Sequence, residues 1–93
     1  MKTTIILKDN SFNPARAYIF TGDTVVWQNE DTKKHEIDFW MDIPEVVLQP
    51  TQSHSMDFAD PGEFSYHCPD EIGMDGTIHV EESDEYKMMT GEF

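Results

Sequence analysis

The chemistry of this chain is concentrated between Gly62 and Gly76. The only cysteine, Cys68, closes an alternating segment, and Met74 follows six residues later across a short loop. A thiolate and a thioether on one tight loop are soft donors, and soft donors select copper or zinc over magnesium or calcium. Between the two sulfurs, three residues after Cys68, stands Glu71. His35 begins a strand-like segment after a polar turn, where a histidine is ordinarily a surface residue and ligation is the alternative. A lone cysteine is more often core packing than a ligand, so the surrounding elements carry the case for Cys68.

Those elements read as strands. Thr3 to Leu7 is a β-branched run closed by Asp9-Asn10, and Ala17 to Phe20 ends at Thr21-Gly22-Asp23. Thr24 to Asn29 alternates, with Val25, Trp27 and Asn29 on one face. His35 to Phe39 alternates again, Ile37 and Phe39 opposing Glu36 and Asp38. Pro44 and Pro50 break the middle of the chain, which reads as a loop with a short strand around Val46 to Leu48. His54 to Phe58 precedes the turn Asp60-Pro61-Gly62. Phe64, Tyr66 and Cys68 then share a face opposite Ser65 and His67, and Thr77 to Val80 points Ile78 and Val80 inward. About seven short strands with regularly spaced turns predict an all-β antiparallel sandwich. The domain spans 1–82, and 83–93 form an acidic tail, either disordered or a short helix. The tail's paired Met88 and Met89 read as ordinary apolar residues.

Composition bounds the rest. Ninety-three residues make one domain near the lower limit of independent folding. A single cysteine excludes an intramolecular disulfide, leaving packing, metal or association to add stability. The net charge is −13, and from Asp57 onward eleven acids face one base, Lys87. Nucleic acid and anionic membranes are therefore poor partners, and no run reaches the ~18 apolar residues of a membrane span. Such a charge reads either as solubility in salt or as an acidic face for a basic partner. The apolar part of Met1 to Lys8 is too short for a signal peptide. That leaves a cytoplasmic protein or a leader already removed.

No phosphate loop, zinc ribbon or nucleophile–base–acid set is present. His67 alternates away from Cys68, His79 lies between inward residues and faces solvent, and His54 lies near the surface. The acidic pair Glu30-Asp31 reads as a solvated turn.

In this order and with these gaps, Asn10 to Pro14, Thr21 to Asp31, His35, Asp60 to Cys68 and Gly73 to Ile78 resemble the cupredoxins, the blue-copper β-sandwich family, over roughly residues 3 to 82. The Tyr66-His67-Cys68 triplet and the short spacing to Met74 are similar to its amicyanin-like branch. The resemblance implies a Greek-key β-sandwich of the cupredoxin type holding a copper ion, with His35, Cys68 and Met74 as metal ligands. The second ligand histidine of the family falls at Glu71. Three outcomes stay open there: Glu71 ligates and favours Cu(II), it points into water and leaves a position open, or the site has lost its metal. The resemblance further implies a monomeric single-electron carrier, not an enzyme, outside the cytoplasm, with a redox partner protein that presents a basic docking face. The competing functions are an open-site, red-copper-like protein that binds a small molecule, and a copper carrier with no redox role.

Overall fold

Alternating sequence becomes alternating burial wherever a strand forms. The computed structural model describes residues 1–40 and 42–90. Its elements are β1 (Lys2–Lys8), β2 (Ser11–Asn13), β3 (Arg16–Phe20), β4 (Thr24–Asn29), β5 (His35–Ile37), β6 (Val46–Leu48), β7 (Ser53–Asp57), β8 (Gly62–His67), β9 (Asp75–Glu81) and α1 (Asp84–Thr90). One sheet orders its strands β2-β1-β4-β7, a second β3-β9-β8, and β5 pairs with β6 in a short ribbon. A single core draws on all three: Ile5, Leu7, Val25 and Trp27 from the first, Ile19, Tyr66, Ile78 and Val80 from the second, and Ile37 and Leu48 from the ribbon. The expected sandwich is present, with inward Val25, Trp27, Asn29, Ile37, Phe39, Tyr66, Cys68, Ile78 and Val80 all buried.

Two details differ from the sequence expectation. Among the described residues, β1 runs parallel to β4 and β3 parallel to β9, while the other four pairings are antiparallel, so the sheets are mixed. Alternation identifies the buried face of a strand but not the direction of its neighbour. Between β1 and β4 the chain passes through β2 and then β3 in the other sheet, and it returns in its original direction. The second difference is β2, a three-residue strand with Phe12 buried, in a stretch read only as turn and family pattern.

The tail takes the helical alternative over Asp84–Thr90, and residues 91–93 lie outside the described ones. Ser83 caps this helix, its hydroxyl accepting the Tyr86 N–H at 3.1 Å. The Ser83 N–H in turn donates to Thr21 Oγ1 at 3.0 Å, which moors the helix to the β3–β4 turn. No helix among the described residues is long and apolar enough to cross a membrane.

The turn from Phe20 to Asp23 closes on itself. The Asp23 N–H donates to the Phe20 carbonyl at 3.0 Å, and Asp23 Oδ2 accepts the Phe20 N–H at 3.0 Å. That donor, followed by a smaller contribution from the N-terminal ammonium, holds the Asp23 carboxyl below its ordinary value despite some desolvation. A folded-state pKa below the unfolded value of about 3.9 stabilises the fold above that value, and the gain is lost as pH falls through the lowered one. Asp23→Asn is therefore expected to lower the urea midpoint at pH 7, with the deficit shrinking below about pH 3.9. An equal deficit at pH 7 and pH 3 would show that the carboxylate charge plays no part.

Candidate metal centre

Cys68 and His35 are 33 positions apart, and the backbone brings them together. The Asp38 N–H donates to the His67 carbonyl at 2.8 Å and the His67 N–H to the Asp38 carbonyl at 3.1 Å. This bridge sews the end of β5 to the end of β8. Cys68 emerges from β8 pointing inward, and His35 opens β5 pointing the same way; each is 2 % exposed.

The loop after Cys68 is closed by its own backbone. The Glu71 N–H donates to the Cys68 carbonyl at 3.2 Å, the Met74 N–H to the Glu71 carbonyl at 3.3 Å, and the Cys68 N–H to the Met74 carbonyl at 2.9 Å. Gly73 takes φ 81°, a left-handed conformation that a side chain would strain. The result returns the Met74 backbone to Cys68, with the Met74 side chain buried in the core, 1 % exposed.

The loop before His35 is wrapped around Asn29, which is fully buried. Its Nδ2 donates to the Lys33 carbonyl at 2.9 Å and the Leu48 carbonyl at 2.8 Å, and its Oδ1 accepts the Asp31 N–H at 2.9 Å. Asp31 is thereby aimed at His35, with Oδ2 2.6 Å from Nε2. The same carboxylate accepts the Asp9 N–H at 2.8 Å and the Asn10 N–H at 3.4 Å. Burial raises the Asp31 carboxyl, but the bonds from His35, Asp9 and Asn10 outweigh it and leave the group below its ordinary value. Asp31 is thus no solvated turn residue, its side chain being only 14 % exposed. With Nε2 held by that carboxylate, the ring is oriented so that Nδ1 faces Cys68.

Cys68 Sγ lies 3.8 Å from that Nδ1. A thiolate bond of about 2.3 Å and an imidazole bond of about 2.0 Å at one ion separate their donors by roughly 3.5–3.9 Å, so the pair fits a shared metal. Burial pushes the Cys68 thiol up; the Asp70 and Glu36 N–H groups pull it down, and the Asp70 and Glu71 carboxylates add to the rise. The two N–H donors would favour the thiolate once a cation offsets the burial.

Glu71 is placed differently. Its carboxylate pairs with the Lys33 ammonium, and no three His, Cys, Asp or Glu side chains converge on one point among the described residues. Cys68 and His35 come together, Met74 packs into the core beside the same loop, and Glu71 bridges to the opposite loop. The remaining histidines lie elsewhere. His67 is exposed, 3.6 Å from Asp38; His79 sits between Glu81 at 2.7 Å and Glu63 at 3.6 Å; His54 is half-buried beside Trp27.

Sequence reasoning missed Asp31, Lys33 and Asn29 as parts of this site. The usable signal for Asp31 was its four-residue spacing before His35. For Asn29 it was an inward polar residue at the end of an apolar face. Lys33 carried no signal, because its partner comes from the other end of the chain.

The family model for the cupredoxin-like domain matches residues 1–80. Amicyanin from Paracoccus denitrificans is 27% identical over an alignment of 70 positions that covers 69% of this chain and 53% of that protein. The chain therefore spans about half the length of this curated relative. Among solved structures, a reduced-state amicyanin mutant superimposes with a TM-score of 0.79 at 22% identity, covering 85% of this chain and 81% of the other. A purple cupredoxin from Nitrosopumilus maritimus gives 0.78 at 21% identity, covering 85% and 99%.

Proposed function

The chain belongs to the cupredoxin-like family, and from that premise we propose that it binds one copper ion and passes single electrons. The observation that carries this is the 3.8 Å approach of Cys68 Sγ to His35 Nδ1, with the other ring nitrogen tied to Asp31. Cys68, His35 and Met74 would hold the ion, with Glu71 the candidate fourth donor. Bound copper supplies the one-electron couple, and the chain supplies a fixed, dry set of donors. The Asp38–His67 bridge, the Asn29-centred loop and the self-closed Cys68–Met74 loop hold those donors without needing large movements. Fully exposed Ile72 beside Glu71, with the −13 charge behind it, suits a redox partner protein carrying an apolar spot within a basic face. An extracytoplasmic location goes with the same reading.

Titrating metal-free protein with Cu(II) should raise an intense thiolate-to-copper absorption in the visible region that saturates at one equivalent. No such band, with Cys68 still reactive toward a thiol reagent in the unfolded protein, overturns the proposal. A second reading draws on the Lys33–Glu71 pair: if Lys33 holds the carboxylate off the ion, a position is left for a small ligand. Azide separates the two readings, since a closed electron carrier keeps its spectrum and an open site changes it.

A further inference from the structure

Lys33 and Glu71 come from the two loops that carry the candidate donors. Lys33 lies two residues before His35, and Glu71 three after Cys68. Both anchor points are fixed: the Lys33 carbonyl accepts from Asn29 Nδ2 at 2.9 Å, and the Glu71 N–H is bonded to the Cys68 carbonyl at 3.2 Å. The Glu71 side chain is 23 % exposed and the Lys33 side chain 51 %. The pair therefore lies at the mouth of the site, and the Glu71 carboxylate is a harder, anionic donor than the sulfurs and the imidazole.

We infer that Lys33 is the specificity-determining residue of this centre: by holding the Glu71 carboxylate it keeps the fourth donor off the metal and tilts the site toward Cu(I). This rests on the copper reading above. The physical reason is donor softness. Thiolate, thioether and imidazole suit Cu(I), whereas an added carboxylate favours Cu(II). Glu71 cannot serve both cations fully, so whatever binds it at Lys33 is subtracted from its preference for the oxidised ion. With copper bound, its reduction by one electron, a donor protein being oxidised by one, would lower the charge at the site by one, and the carboxylate would favour Lys33 more strongly. No proton changes hands, and the one electron balances the step.

Lys33 also acts as a bare charge, since its ammonium is attracted to the Asp31 carboxylate as well as to Glu71. A double-mutant cycle separates the two effects. Lys33→Met keeps the aliphatic stem and removes the ammonium; it is made in the native background and in Glu71→Gln. The reduction potential reads the ratio of Cu(II) to Cu(I) affinity, and the visible band reads the donor set. In the native background, Lys33→Met should raise that ratio about tenfold, a potential lower by about 59 mV, and move the band. In Glu71→Gln the same change should give about two- to threefold, the share of a screened surface charge alone, with the band unmoved. Equal shifts in the two backgrounds, or a ratio that falls, overturn the inference while leaving copper binding standing. Absence of a thiolate–copper band in every variant is the separate failure of the copper reading, and the inference falls with it.

Discussion

Cys68→Ser should abolish the visible thiolate-to-copper absorption while the sandwich stays folded. Serine keeps the shape of the buried side chain, and its oxygen can accept the Glu36 and Asp70 N–H groups that act on Sγ. The folding cost should stay within about 1–2 kcal/mol. A copper ion bound as proposed would lose its one soft anion, however. Copper affinity should fall by more than the roughly 10–100-fold typical of changes to residues that merely support a ligand. Far-ultraviolet circular dichroism and a copper titration on the same sample check both halves. A variant that keeps an intense visible band would remove Cys68 from the site, and one that unfolds would make the thiol a packing residue first.

Gly76→Ala is the second large effect, and it acts through packing. A Cβ at Gly76 would lie 2.3 Å from Tyr66 Cζ and 2.3 Å from its hydroxyl oxygen. Gly76 and Tyr66 are directly paired across β8 and β9, so the ring lies over a strand that must be bare at that point. The ring cannot swing away. It is 2 % exposed and meets Phe12 at 4.7 Å, Trp27 at 5.4 Å and Phe39 at 5.9 Å between ring centroids. Overpacking against a braced ring should cost about 3 kcal/mol or more, a large share of a small domain's stability. The melting temperature should drop by roughly 12 °C or more. Because Tyr66 stands two residues before Cys68, copper affinity should weaken as well. Tyr66→Phe should not rescue the alanine variant, since Cζ remains where the methyl must go. A melting temperature within a degree or two of the parent would mean that the ring does not rest on Gly76.

The two predictions divide along the line between what the chain spells out and what folding decides. Alternation in Thr24 to Asn29, Phe64 to Cys68 and Thr77 to Val80 was sufficient to name inward residues and to expect a sandwich, because a period of two is a local property of the backbone. The spacing of Cys68 and Met74 on one loop was equally local. Direction was not. The parallel pairing of β1 with β4 and of β3 with β9 depends on which sheet the chain visits in between. The glycine at 76 gave no hint of Tyr66, which reaches it only across the ladder.

The site shows the same division. Cys68, His35 and Met74 could be nominated because the order of motifs resembles the cupredoxins, with each residue at a strand end or turn. Asp31 resembled a solvated acid until the buried Asn29 aimed it at His35. Glu71 was legible as a missing histidine but not as the partner of Lys33, 38 positions away. Soft donors, spacing and strand periodicity are short-range facts and were written in the sequence alone. Which carboxylate steadies the histidine, and which cation holds the other carboxylate, are contacts between distant segments that only the tertiary structure decided.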